Sequence, residues 1–258
     1  MTDKKRVAII YDADFTLIKE YHQNLIFRRK GIDPKGFWDE LKELEKREKQ
    51  DGKKANLDII YLALFMHELH YGKLKGLSID EMRQAGKDIS SILYPGLPEF
   101  FKRVKDEHKE LDLSHNIVSM GFQPLLESAF GDYVDLVEGY GFLDFSFKGG
   151  SLEVSRTVSS LEKDSIIRRI SMGGSDVEES AYQIKNMVYI GDGKSDIPAF
   201  KLVRSKGGGA ICVFDESIPG SYEKARLFEK LVDIVAPADF RKGSAVDLMI
   251  RHRINTAA

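Results

Sequence analysis

The sequence predicts an α/β protein in which a mostly parallel sheet carries an entirely helical insertion. Three observations carry that prediction. Val7 to Tyr11 and Met187 to Ile190 are short apolar runs, too short for helices and rich in the β-branched and aromatic side chains of strands buried on both faces. Between residues 20 and 91 apolar side chains recur only at helical spacing. From about residue 93 onward, strand-like and helix-like stretches alternate, as they do where helices connect parallel strands.

The first strand ends in two carboxylates, Asp12 and Asp14. In an open α/β sheet, ligands bind beyond the carboxyl ends of the strands, and an i, i+2 spacing in extended chain turns both side chains to one side. Two anions so close repel, which calls for a cation, a shared proton or a chemical task. Aspartate after a strand also serves as a turn former or helix N-cap, so the pair alone does not define a site.

Within the insertion, Phe37 to Gln50 is predicted as a helix whose run KELEKREKQ forms a solvated face. Leu57, Ile60, Tyr61, Leu64, Phe65 and Leu69 form the apolar stripe of a second helix. Ser78-Ile79-Asp80-Glu81 is a capping box opening a third, which runs toward Ser90. His67 and His70 share a helix face. Their spacing of three lacks the pattern of a zinc-binding helix and no third ligand is at hand, so they read as a polar edge.

After Tyr94-Pro95-Gly96, Leu97 to Glu110 is predicted as a helix with Phe100, Phe101 and Val104 inward. His115 to Ser119 is the next strand, followed by Met120-Gly121-Phe122-Gln123-Pro124 and a helix through Phe130. A hydroxyl at a strand end, then glycine, then a helix start with proline in its first turn offers a phosphate site; an ordinary N-cap serine has the same signature. Residues 134–154 predict an edge hairpin, FLDFSF against SLEVSR, turning at Lys148-Gly149-Gly150. Ser159-Ser160-Leu161-Glu162 is a second capping box, so Lys163 falls in the first turn of a helix extending to Ile170. A cation there opposes the helix dipole by up to about 1 kcal/mol unless an anion lies nearby. Lys185 is the alternative lysine, but it precedes a strand and so sits at the end away from the ligand side.

Gly191-Asp192-Gly193-Lys194-Ser195-Asp196 follows the second apolar strand, and Asp196 opens a helix that Pro198 enters in its first turn. Ala210 to Phe214 and Asp233 to Val235 complete the strands, with helices over 221–232 and from Ser244. The glycines 207–209 precede a strand and read as a turn rather than a phosphate loop.

Composition excludes several classes. With 31% charged residues and a net charge of −2, nothing favours nucleic acid or a membrane surface as partner. Cys212 is the single cysteine and lies in an apolar run, so it reads as a buried hydrophobe and no disulfide forms within the chain. The five apolar residues after MTDKKR are too few for a secretory signal core, and no run reaches membrane-spanning length, so the expected location is cytoplasmic.

Taken together, Asp12-Ala13-Asp14-Phe15-Thr16 after a hydrophobic strand, Ser119-Met120-Gly121-Phe122, Lys163, and Gly191-Asp192-Gly193-x-x-Asp196 resemble, in order, the four motifs of the haloacid dehalogenase superfamily. The resemblance covers essentially the whole chain. It is strongest to the phosphoserine phosphatases, although Phe15 and Met120 stand where glycine is common. It implies a Rossmann-like core over residues 1–19 and 93–258 and a helical cap over residues 20–92. It also implies a Mg²⁺-dependent phosphatase acting on a small phosphorylated metabolite, with Asp12 as nucleophile and Asp14 as acid and base. Mg²⁺ would be held by Asp12, the backbone carbonyl of Asp14 and Asp192, supported by Asp196. Ser119 and Lys163 would bind the phosphoryl oxygens, with Met120 and Gly121 beside them. Glu20 lies one residue from the usual place of the glutamate with which phosphoserine phosphatases read their substrate. A phosphotransferase or phosphomutase is the alternative within the same chemistry. A phosphate-binding protein without turnover or a receiver-like signalling domain is a different class; the full set of carboxylates argues against the first, and Asp14 with the helical insertion argues against the second.

Overall fold

A computed structural model of the chain describes residues 4–52, 56–145, 151–172 and 182–257. Its frame is a seven-stranded sheet of β1 (Arg6–Tyr11), β2 (Asp112–Phe122), β3 (Leu136–Phe145), β4 (Ser151–Arg156), β5 (Met187–Gly191), β6 (Gly209–Phe214) and β7 (Ile234–Pro237), in the order β4-β3-β2-β1-β5-β6-β7. Every pair is parallel except β3 with β4. The predicted α/β class with a mostly parallel sheet holds. The expected antiparallel hairpin is present, with Phe142 opposite Val154 and Leu143 opposite Glu153. Its predicted turn at Lys148-Gly149-Gly150 lies outside the described residues.

β1 and β5 are the central strands, which is why both are apolar apart from Arg6 at the exposed start of β1. Alternation along β1 divides the interior. Val7, Ile9 and Tyr11 face one apolar cluster with Phe100, Phe101 and Val104 of α5 (Glu99–Glu107) and Val246, Ile250 and Ile254 of α10 (Ala245–Ala257). Ala8 and Ile10 face a second cluster with Ile166, Ile167 and Ile170 of α7 (Lys163–Ser171) and Phe200 and Val203 of α8 (Ile197–Ser205). Helices therefore cover both faces, as parallel strands require.

Between β1 and β2 the chain forms α1 (Gln23–Arg29), α2 (Pro34–Gln50), α3 (Leu57–Tyr71) and α4 (Ile79–Gly86), then a 3₁₀ segment over Lys87–Ile92. Asp33 caps α2 and Asn56 caps α3, while Ser78 and Glu81 form the predicted reciprocal box on α4. His70 faces Glu153 of β4 at 3.6 Å, so the polar edge of α3 meets the sheet edge. The insertion does not stand apart from the rest. Phe65 meets Phe122 with ring centroids 4.6 Å apart, Tyr61 stacks on Tyr140, and the apolar cluster runs without a break from α3 and α4 into α6 (Gln123–Phe130).

Some boundaries differ from expectation. β2 runs on through Phe122 instead of stopping at Ser119; its pairing with β3 is interrupted between Val118 and Phe122, so Ser119-Met120-Gly121 forms an irregularity within the strand. The helix expected over 221–232 is α9 (Ser221–Ala225) followed by a 3₁₀ segment over Arg226–Leu231. The helix expected over 97–110 is shortened to α5, which starts after Pro98.

Candidate active site

The carboxyl ends of β1 and β5 meet where the Asp12 amide donates to the Ile190 carbonyl at 2.9 Å. That bond puts Asp12 beside the Gly191-Asp192-Gly193 turn. Carboxylate oxygens of Asp12, Asp192 and Asp196 lie within 4.8 Å of one another. Two separate stretches of sequence thus converge on one pocket of negative charge.

Lys163 enters this pocket from the first turn of α7, buried to 1% exposure. Its Nζ lies 2.9 Å from Asp12 Oδ1 and 2.7 Å from Asp196 Oδ1. Burial disfavours the ammonium, but Asp12 and Asp196 outweigh it and hold Lys163 charged well above the usual lysine range. These are the anions that offset its unfavourable place against the helix dipole. Asp196, fully buried, also accepts from the Tyr189 hydroxyl at 2.7 Å and from the Gly193 amide at 3.1 Å. Gly191 permits this, since a Cβ there would overlap the Asp196 carboxyl. Asp196 therefore serves first as the holder of Lys163, and Tyr189 is a member of the site that its position inside a strand did not reveal.

Asp192 differs. Among the described residues its carboxylate receives no hydrogen bond, and burial, with the charges of Asp196 and Asp12 added, holds its carboxyl well above the ordinary range. Burial likewise pushes Asp12 up to about 7, against the pull of Lys163. One lysine does not balance three carboxylates in a buried pocket, and an all-oxygen donor set that needs positive charge fits a hard divalent ion.

Asp14 points to a different partner. It accepts from the His22 amide at 2.9 Å, and its two oxygens lie 2.9 and 3.1 Å from His22 Nδ1. His22 is completely buried at the N-cap of α1, and sequence reasoning passed over it, because its other partner, the Phe122 amide, is a hundred residues away in sequence. Between the two aspartates' strand end and His22, Phe15 takes a left-handed φ of 57°. That conformation explains the common glycine at this place; Phe15 adopts it at a cost of about 1–2 kcal/mol while its ring packs edge-on against Tyr21, 4.8 Å away. Tyr21 in turn lies on Trp38 of α2, 4.0 Å between centroids. Burial, then the nearby Asp14, Asp192 and Asp12, push the Tyr21 hydroxyl up to about 12.

Ser119 is buried at 2% exposure in the irregular part of β2, with the partly buried Met120 and the buried Gly121 after it. Glu20 is engaged elsewhere: Arg28 grips both its oxygens at 2.6 and 2.9 Å and Asn24 donates at 2.7 Å. Its charge is compensated locally. Cys212 is buried, with its thiol pushed up to about 12 by burial and by Asp192 and Asp196, in keeping with an unreactive core residue.

This constellation sits on a widely shared scaffold. No family model matches the chain. A phospho-aspartyl intermediate analogue of phosphoserine phosphatase superposes with a TM-score of 0.62 at 20% identity, covering 96% of this chain and 99% of its own. The chain has the haloacid dehalogenase-like fold seen in phosphoserine phosphatase structures. A second haloacid dehalogenase hydrolase, from Salmonella enterica serovar Typhi, gives a TM-score of 0.57 at 18% identity over 89% of this chain and 73% of its own. Cytosolic 5'-nucleotidase IIIB bound to cytidine gives 0.56 at 13% identity, over 98% and 87%. In sequence, an uncharacterized protein of Borreliella burgdorferi is 27% identical over 278 aligned positions, covering 96% of each chain. On the haloacid dehalogenase fold, the strand ends of β1 and β5 are the natural place for a ligand. No helix among the described residues is long and apolar enough to cross a membrane.

Proposed function

We propose that this protein is a Mg²⁺-dependent phosphatase that hydrolyses a small phosphomonoester through an aspartyl-phosphate on Asp12. The observation that carries the reading is the buried charge imbalance: Asp12, Asp192 and Asp196 gathered within 4.8 Å around the single ammonium of Lys163. Mg²⁺ held by Asp12, Asp192 and the Asp14 backbone carbonyl would offset that excess and the charge of the phosphate group.

The remaining chemistry belongs to the chain. Asp12 is anchored by its amide on β5 and by Lys163, which fixes the attacking oxygen. It attacks phosphorus, an acyl-phosphate bond forms, and the ester oxygen departs with a proton from Asp14. Asp14, now a carboxylate, takes a proton from the water that attacks the same phosphorus, releasing inorganic phosphate and restoring Asp12. Two of the three ammonium hydrogens of Lys163 point to Asp12 and Asp196; the third is left for a phosphoryl oxygen. Ser119 and the backbone at Met120 and Gly121, in the neighbouring strand β2, would supply further donors.

The substrate differs from an amino-acid phosphate in what reads it. Glu20, spoken for by Arg28 and Asn24, is a poor receptor for an ammonium group, whereas Tyr21, whose hydroxyl feels the charge of Asp14, Asp192 and Asp12, packs on Trp38 of the insertion. The test is release of inorganic phosphate from a panel of phosphorylated metabolites with Mg²⁺, before and after chelation. Activity that vanishes with chelator and returns with Mg²⁺ is expected; undiminished activity after exhaustive chelation contradicts the proposal.

A further inference from the structure

We propose that His22 is the positioning residue of Asp14, fixing the direction of its carboxyl and tying it to the strand irregularity that carries Ser119. The proposal rests on the phosphatase reading for the role of Asp14, but the arrangement itself is defined by hydrogen-bond directions. The Phe122 amide, which can only donate, lies 2.8 Å from His22 Nε2. Nε2 therefore carries no hydrogen, and the ring hydrogen is on Nδ1. Nδ1 then donates to Asp14, 2.9 and 3.1 Å from its two oxygens, and the His22 amide donates to Oδ1 at 2.9 Å. One residue thus holds the carboxylate by backbone and side chain together. Left alone, a carboxyl on a loop samples several rotamers, and only some present an oxygen to a departing alcohol.

Two further observations show that the place is built for this ring. A Cβ on Gly121 would lie 2.6 Å from His22 Cε1 and 3.0 Å from Nε2, so glycine in the second motif makes room for the imidazole. Phe122 packs edge-on against the ring at 5.2 Å, and the ring is completely buried. Because Phe122 continues the same strand as Ser119, movement of that irregular segment is transmitted to Asp14 through the imidazole. His22 touches neither phosphorus nor leaving group, so its effect falls on the step that Asp14 serves.

The two hydrogen bonds can be removed separately. Asn at this position places an amide near Nδ1 and keeps the donor to Asp14; Gln reaches the place of Nε2 and keeps an acceptor for the Phe122 amide. With Mg²⁺ and an alkyl phosphate, H22Q is expected to lower kcat by about 10- to 100-fold at nearly constant KM, while H22N stays within about fivefold of the parent. For p-nitrophenyl phosphate, whose leaving group needs little acid help, the burst of p-nitrophenol in H22Q is expected within about threefold of the parent. Equal losses in H22N and H22Q, equal losses on both esters, or a change confined to KM would overturn the positioning role. Nitrogen-15 NMR of the parent protein reads the ring independently of turnover: a pyrrole-type Nδ1 and pyridine-type Nε2 are expected, and the reverse pattern overturns the proposal. A parent that shows the expected ring pattern but hydrolyses no phosphomonoester refutes the phosphatase reading and, with it, the catalytic purpose assigned to His22.

Discussion

At the scale of single residues, Asp192 and Asp196 lie four apart in one motif yet carry opposite charges on stability. Asp192 is a partly buried carboxylate with like charges beside it and no hydrogen bond among the described residues, whereas Asp196 is held by Lys163, Tyr189 and Gly193. Asp192→Asn is therefore expected to raise the melting temperature of the metal-free protein and abolish its further rise with Mg²⁺. Asp196→Asn strips Lys163 of one anion and is expected to cost on the order of 2 kcal/mol, less than the about 3–5 kcal/mol of a fully orphaned buried charge. Thermal melts of both variants with and without Mg²⁺ decide; shifts of the same sign in the metal-free protein contradict this division. Asp12 adds a pH signature. Its folded-state carboxyl is raised to about 7 from an ordinary value near 4, so the folded state binds the proton more tightly. The stability this contributes is complete below the unfolded value and lost as pH rises through about 7. In chelator, the difference in melting temperature between the parent and Asp12→Asn should move against the parent across that window; a constant difference would mean that Asp12 carries no such shift. Much of this residue pattern is legible in sequence, because strand ends and glycine turns mark Asp12, Asp14, Asp192 and Asp196, and a helix start marks Lys163, although the expected capping box is only half formed: the Ser159 amide donates to Glu162, while no side chain caps α7. Tyr189 and His22 are not legible, since each is defined by a partner that only the fold brings near.

At the scale of elements, the sequence marks helices between β1 and β2 but not how they are held. Periodicity locates an apolar stripe on α3, and the cap boxes locate helix starts; neither says that Tyr61 and Phe65 pack on Tyr140 and Phe122 of the sheet. Gly86 of α4 lies so close to the Leu125 carbonyl of α6 that a Cβ would overlap it. Replacing residues 20–92 by a Gly/Ser linker would bare Phe122, Leu125, Leu126 and Tyr140 at once, and would remove His22 with the insertion. The deletion is expected to give an aggregating product with no cooperative melt, measured by light scattering and circular dichroism. A monomeric, cooperatively unfolding core would show instead that the insertion is an independent domain. The same limit applies to β2: its apolar run ends at Ser119 in sequence, but pairing resumes at Phe122 because β3 supplies the partner, and that extension places the Phe122 amide over His22.

At the scale of the whole molecule, the carboxylates and Lys163 come together from three segments that the doubly covered sheet brings near one another: the ends of β1 and β5 and the start of α7. Order along the chain makes the fold legible, because apolar strands with helices between them allow few other arrangements. Substrate choice is less legible, because Tyr21, the residue of the insertion whose hydroxyl feels the carboxylates' charge, reaches them only after the insertion has packed. All of the proposed chemistry depends on one bond, between Asp12 and the transferred phosphorus. The direct measurement is the intact mass of the protein after rapid acid quench during turnover of p-nitrophenyl phosphate with Mg²⁺, followed by peptide mapping. One added phosphoryl group on Asp12 in the parent, its accumulation in Asp14→Asn and its absence in Asp12→Asn are predicted. Phosphorylation of another residue, or label persisting in Asp12→Asn, would contradict the account.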